Sequence, residues 1–264
     1  MAPLPEDPFP ELRDAKAAVH TEKDAPRRIE IFPVTDIGEV APGQEVAEII
    51  LAAAGPVSTG EPKLRDGDVV VVTQKIVSKA EGRLVEIDPD DSGSFSRLVE
   101  SESVRVLRRR GDLLISETRH GFICANAGVD RSNVADGTAA LLPVDPDRSA
   151  HRIRIGLLRG GVDAAVIVSD TFGRPWRRGL TDVAIGCSGI GAILDLRGTP
   201  DARGRSLQAT EVCIADEIAG AAELVMGKSS GIPVAIVRGV DPTWLRESSV
   251  RAEIVRPASE DLFR

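Results

Sequence analysis

Residues 166–175 read Val-Ile-Val-Ser-Asp-Thr-Phe-Gly-Arg-Pro, an apolar run that breaks into a carboxylate, a hydroxyl and a glycine. A short apolar run bounded by turn residues is the pattern of a buried strand. Asp170 and Thr171 would then emerge together at the strand's end, as oxygen donors for a hard cation and for a phosphate-bearing ligand. The plainer alternative is an Asp that merely opens a turn. Residues 121–133, Gly-Phe-Ile-Cys-Ala-Asn-Ala-Gly-Val-Asp-Arg-Ser-Asn, form a second cluster of this kind. Its glycines permit close backbone approach, and Asn126, Asp130 and Asn133 offer polar side chains. Asp130 and Asp170 can converge on one divalent ion despite their separation in the chain, and a pair of carboxylates suits magnesium or manganese better than zinc.

Composition narrows the classes available. Hydrophobic residues make up 42% of the 264, enough for a sizeable core in one large domain or two small ones. Aromatic residues are only 3%, Tyr is absent and the net charge is -8, so nucleic-acid binding through stacking or phosphate attraction is disfavoured. Anionic ligands would need local cations, such as a metal site or the Arg174, Arg177 and Arg178 cluster. Cys124, Cys187 and Cys213 are widely spaced in apolar surroundings, with no CxxC pair, and His20, His120 and His151 stand in unrelated contexts. They read as core thiols of a reducing compartment and not as zinc ligands. No apolar run is long enough to span a bilayer and residues 1–28 lack a secretory signal's apolar centre, so a cytoplasmic location is expected.

The elements that must position these residues follow from periodicity. Strands are expected at 28–34, 68–73, 83–87 and 232–237, and before Asp170, with residues 113–117 and 121–125 pairing around an Arg119-His120 turn. Helices are expected at 45–54, 96–109, 149–159 and 215–226, the second ending in the basic run 108–110 and the last at Gly227. Residues 75–82 are expected to be a loop, and the chain beyond Val240 a surface tail. Strands and helices mix without regular alternation, which favours an α+β fold with mixed sheets and helices packed on them. The expected division is a mobile extension at 1–28, a catalytic domain at 29–245 and a tail at 246–264. Neither GxGxxG nor a P-loop is present: Gly227-Lys228-Ser229 ends like a Walker loop, but Ala222 stands where its first glycine belongs.

Five blocks in order resemble the coenzyme F420:gamma-glutamyl ligase family, over residues 31–240. They are Thr-Gln-Lys-Ile-Val-Ser-Lys-Ala-Glu-Gly-Arg at 73–83, Ile-Cys-Ala-Asn-Ala-Gly-Val-Asp at 123–130, Ser-Asp-Thr-Phe-Gly-Arg-Pro at 169–175, Val-Ala-Ile-Gly at 183–186 and Ala-Asp-Glu-Ile-Ala at 215–219. The resemblance implies an enzyme that consumes GTP to add L-glutamate to F420-0, the deazaflavin coenzyme precursor, and extends a γ-linked tail through an acyl phosphate. It implies Asp130 and Asp170 as ligands of magnesium or manganese, Thr171 as a hydroxyl ligand to a second ion, and Lys79 as a phosphate contact that joins the two aspartates in catalysis. It also implies a GTP site lined by Ile37, Gly38, Glu39, Val40, Gln74, Lys79 and Asn133, together with Met226, Gly227, Lys228, Ser229, Ser230, Gly231, Ile232 and Pro233, and a homodimer. Many members carry an acidic or amide residue where this chain has Lys228, which puts an ion ligand there in doubt. On the residues alone, Lys79 also reads as a solvated lysine, Glu117 and His120 are weak candidates for a base, and a metal-dependent phosphohydrolase or a noncatalytic nucleotide-binding protein stays open.

Overall fold

Four consecutive valines, Val69 to Val72, are each 0% exposed, and they set the architecture. A strand that is apolar on both faces must be covered on both. The computed structural model describes residues 28–58 and 62–262, so that the expected N-terminal extension lies outside it apart from Arg28. In chain order the first elements are β1 (Glu30–Val34), α1 (Val46–Ala54), β2 (Val69–Thr73), α2 (Gln74–Ala80), β3 (Leu84–Glu86), α3 (Ser94–Glu102) and β4 (Ser103–Arg110). They are followed by β5 (Leu113–Thr118), β6 (Ile123–Ala125), β7 (Thr138–Ala140), α4 (Pro146–Arg159), β8 (Ala165–Arg174) and β9 (Arg177–Ser188). The last are β10 (Leu194–Asp195), β11 (Glu211–Val212), α5 (Ile214–Met226), β12 (Val234–Arg238) and α6 (Val250–Glu253).

The main sheet has the order β1-β12-β2-β8-β9. Only β2 and β8 run parallel; the other neighbours are antiparallel. Val70 and Val72 face a core built with α1, α2 and α4, whereas Val69 and Val71 face a second core built with α5 and α6. Smaller sheets β4-β5-β6 and β3-β7 share a third core with α3, around Val99, Leu114 and Leu141. The fold is α+β, with a mixed sheet between helices. Among the described residues no helix is long and apolar enough to cross a membrane.

Two local expectations are corrected. Residues 74–80 are the helix α2 and not a loop. The segment lacks Gly and Pro, Ile76 and Val77 bury against the main core, and Gly82, at φ 67, ends it. Residues 103–110 are strand and not the second half of a helix, because β4 pairs antiparallel with β5 from Ser103 to Arg110. The run Arg108-Arg109-Arg110 therefore lies on a strand. The segment beyond Val240 is anchored by Val250, which is 0% exposed, with Trp244, Leu245, Ile254 and Val255 packed on the same core.

Candidate active site

The β2–β8 register ends at Thr73↔Ser169. From there β2 turns directly into α2, while β8 runs on to Arg174 as a hairpin with β9 alone. Asp170 thus stands just past the carboxyl end of the parallel pair, where open sheets leave a crevice for ligands. It is not the end of the strand itself, as the sequence pattern suggests. The register slips between Val168 and Ser169, which face Gly186 and Ala184, so Ile185 is the extra residue of a bulge immediately before Asp170. A bulge bends the strand and re-aims the side chains that follow.

Beyond the bulge, Ser169 and Thr171 share one face and Asp170 takes the other. Asp182, 3% exposed and opposite Thr171 in the register, accepts from Thr171 Oγ1 at 2.7 Å and from Ser169 Oγ at 2.9 Å. The Thr171 hydroxyl also accepts from Lys228 Nζ at 3.0 Å. Asp170 Oδ1 accepts the Thr171 backbone N–H at 2.8 Å.

Asp130 is delivered by a left-handed turn. Asn126, Ala127 and Gly128 have φ of 50, 53 and 72, and a Cβ on Gly128 would sit 2.7 Å from the Leu142 side chain. Only glycine combines that backbone with that approach. Asn126 Oδ1 accepts the Leu114 N–H at 3.0 Å, and the Asp130 main chain exchanges two hydrogen bonds with Ala140. The Asp130 carboxylate accepts from the Ser132 N–H at 2.7 Å, the Ser132 hydroxyl at 2.9 Å and Lys75 Nζ at 2.7 Å.

The two aspartates lie within electrostatic reach of each other and titrate apart. Burial pushes the Asp170 carboxyl up to about 7, against the Thr171 backbone N–H and Lys228, which act to lower it, while Asp130 adds a repulsion smaller than the pull of Lys228. Burial also acts to raise Asp130, but Lys75 and Ser132 outweigh it and hold that carboxyl below the usual range. Two carboxylates whose environments separate their pKa values make this pair the candidate site. Glu223 on α5 belongs to the same field: burial and then Asp182 raise its pKa, while Lys228 and Lys75 oppose the rise.

This donor set fits a hard cation. Among the described residues no group of three or more His, Cys, Asp or Glu is arranged to hold an ion. Asp130 and Asp170 supply carboxylate oxygens, the kind that magnesium takes when phosphate oxygens and water complete its shell, whereas Thr171, on the other face of β8 from Asp170, turns its hydroxyl to Asp182 and Lys228.

The other expected residues fall into two groups. Lys79, one turn beyond Lys75 on α2, is 7% exposed and pairs with Glu39 at 2.5 Å. That joins the 37–40 segment to α2, and Lys79 is no solvated loop lysine. Gln74 is 1% exposed; its Oε1 accepts from Ser78 while its Nε2 is buried without a partner, so one end of the amide is unsatisfied whichever way it is turned. Asn133 Nδ2 approaches the Lys228 carbonyl at 3.5 Å. Gly38, Ser229, Ser230 and Gly231 are exposed, and Ile232 and Pro233 are half-buried. Val40 and Met226 are buried in the two cores and Ile37 packs against the first, so their side chains are committed to packing. His120 is held by the Pro143 and Val144 carbonyls and stacks on Phe122.

Sequence reasoning missed Lys75, Ser132, Asp182 and Glu223 as parts of this cluster. Lys75 and Ser132 lay inside segments already singled out. Asp182 and Glu223 carried no local signal.

The mixed sheet carries Asp170 just past the end of its parallel pair, with Asp130, Lys75 and Lys228 within electrostatic reach of it. The chain belongs to the F420-0:gamma-glutamyl ligase family, whose model matches residues 35–239. It is 42% identical over 252 residues to the coenzyme F420:L-glutamate ligase of Methanothermobacter thermautotrophicus, covering 89% of this chain and 99% of that protein. It is 41% identical to the protein of the same name from Methanopyrus kandleri, covering 89% of this chain and 98% of that protein. The Archaeoglobus fulgidus coenzyme F420:L-glutamate ligase is 39% identical, with coverage of 90% and 97%.

Proposed function

We propose that this protein joins L-glutamate to coenzyme F420-0 through an amide bond at the expense of GTP, and extends the tail by γ-linkage. The observation that supports the reading most directly is the family match over residues 35–239, which includes Asp130, Asp170 and Thr171. A carboxylate and an amine do not condense unaided in water, so the acid must first gain a leaving group. In this reading the γ-phosphoryl group of GTP passes to the terminal carboxylate of the acceptor, giving an acyl phosphate and GDP. The α-amine of glutamate attacks the acyl carbon; phosphate leaves, and the amine loses a proton as the amide forms. Each added glutamate brings a side-chain carboxylate that serves as the next acceptor.

The chain's own residues supply position and charge. Lys75 and Lys79 lie four residues apart on α2, about 6 Å along its axis, which suits successive phosphates. The exposed 228–231 loop and the Glu39 segment flank them. Asp130 and Asp170 would hold magnesium or manganese, which when bound neutralises phosphate oxygens as charge shifts between them. Enclosure of the site would protect the acyl phosphate from water.

The test is to incubate the protein with F420-0, GTP, magnesium or manganese and glutamate, to follow phosphate release and product mass, and to withhold each component in turn. One glutamyl unit per phosphate released is expected. Rapid GTP hydrolysis without acceptor or glutamate would favour a phosphohydrolase, and tight GTP binding with no phosphate released from the complete mixture would favour a passive binder.

A further inference from the structure

Lys228 follows Gly227, whose φ of 63 turns the chain sharply at the end of α5. The turn brings the Lys228 ammonium to Thr171 Oγ1 at 3.0 Å. That hydroxyl gives its single proton to Asp182 Oδ1 at 2.7 Å and receives Lys228 on a lone pair. The lysine backbone is met from the other side by Asn133, Nδ2 to carbonyl at 3.5 Å. The side chain therefore crosses from α5 to β8 in a defined place, in the electrostatic field of both Asp170 and Glu223.

Charge balance points the same way. Asp130, Asp170, Asp182 and Glu223 are four carboxylates, and Lys75 and Lys228 are two ammonium groups in the same field. Lys79 is matched separately by Glu39. The deficit is two charges, which one divalent ion fills. A second divalent ion bonded to Thr171 would have to stand beside the Lys228 ammonium, and like charges in contact repel strongly.

We infer that the Lys228 ammonium takes the place of a second divalent ion on the Thr171 side of the site, so that the protein holds one magnesium or manganese ion, at Asp130 and Asp170, and completes the charge with its own lysine. The inference rests on the proposed metal- and GTP-dependent reading but concerns the number of ions, which that reading leaves open.

The test counts manganese bound to the full chain, by electron paramagnetic resonance of the free ion during titration, in the presence of a non-hydrolysable GTP analogue. The wild type is expected to bind one ion, Asp170→Asn to lose at least tenfold in affinity for it, and Lys228→Glu to bind two. Lys228 is exposed, and a circular-dichroism melt checks that the variant is folded; Lys228→Gln, which removes the charge without adding a carboxylate, should also gain a second, weaker ion. Two ions on the wild type would overturn the inference and leave the metal-dependent reading standing. One ion on the wild type and on both Lys228 variants would overturn it as well. No specific ion on the wild type would remove the metal-dependent reading and this inference together.

Discussion

Lys75 Nζ lies 2.7 Å from Asp130 Oδ2, so a lysine neutralises the carboxylate that the sequence nominates as an ion ligand. An arriving cation must compete with that ammonium. Lys75→Met should therefore tighten manganese binding in the absence of nucleotide by a few-fold, while turnover should fall with loss of the charge proposed to meet a phosphate. Calorimetric titration of manganese beside steady-state kinetics checks both directions; weaker metal binding in the variant would contradict the competition.

Asp130→Asn and Asp170→Asn each remove a charged donor and leave the shape of the side chain. Changes outside a metal's inner shell already cost about 10–100-fold, so each variant should lose at least about a hundredfold in ligation. The melting temperature should change little. Near-normal turnover of either variant at limiting metal would show that the two carboxylates do not share an ion.

The Asp170 carboxyl, raised to about 7, makes metal binding pH-dependent. Below that value the ion must displace a proton, so affinity should rise with pH up to about 7 and flatten above it. Calorimetry in buffers of different ionisation enthalpy should detect proton release on the acid side. Stability of the ion-free protein should move the other way. The folded state keeps the proton up to about 7, whereas the unfolded chain loses it near 3.8. Between those values the folded state binds more protons, and stability declines as pH rises through the window. Urea titrations across that range measure the slope, and an upward slope would contradict the assignment.

Asp182 positions Thr171 and Ser169 from across the hairpin. Asp182→Ala leaves two hydroxyls without their acceptor, at a cost of about 1–3 kcal/mol for each one that stays buried and unpaired. Ligation should fall as Thr171 loses its orientation. Asp182→Asn keeps an acceptor oxygen and should recover part of the stability, which denaturant midpoints would report.

Asp68 provides a control remote from the chemistry. It is 1% exposed and receives a two-pronged contact from Arg238, at 2.8 and 2.7 Å. Asp68→Ala takes the counter-charge from a guanidinium that keeps only the Lys63 carbonyl and the Phe32 ring among these contacts, and should destabilise the fold by about 3–5 kcal/mol. Activity per folded molecule should be unchanged, as measured by kinetics normalised to the folded fraction.

Much of this protein was legible along the chain. Apolar runs marked β2, β8 and β12 because a strand buried on both faces needs no alternation. The helices α1, α4 and α5 were legible because apolar spacing and Gly227 at a helix end are local signals, although α4 begins at Pro146, three residues ahead of the expected start at 149. Asp130 and Asp170 stood out because each closes a segment of unusual composition. The sequence misread α2, since seven residues give too short a period to outweigh two lysines and a serine, and burial against the core decided it. It also misread β4, where pairing with β5 overrode a pattern compatible with helix. Nothing near Asp182 or Glu223 in the chain says that they share one electrostatic field with Lys228. Asp182 meets Thr171 through the β8–β9 register, and Lys228 meets it through the turn at Gly227. Periodicity reports on neighbours a few residues away, whereas the field at a carboxylate sums over whatever the fold brings within reach. Only the tertiary structure could therefore set which aspartate stays charged and which lysine stands in the site.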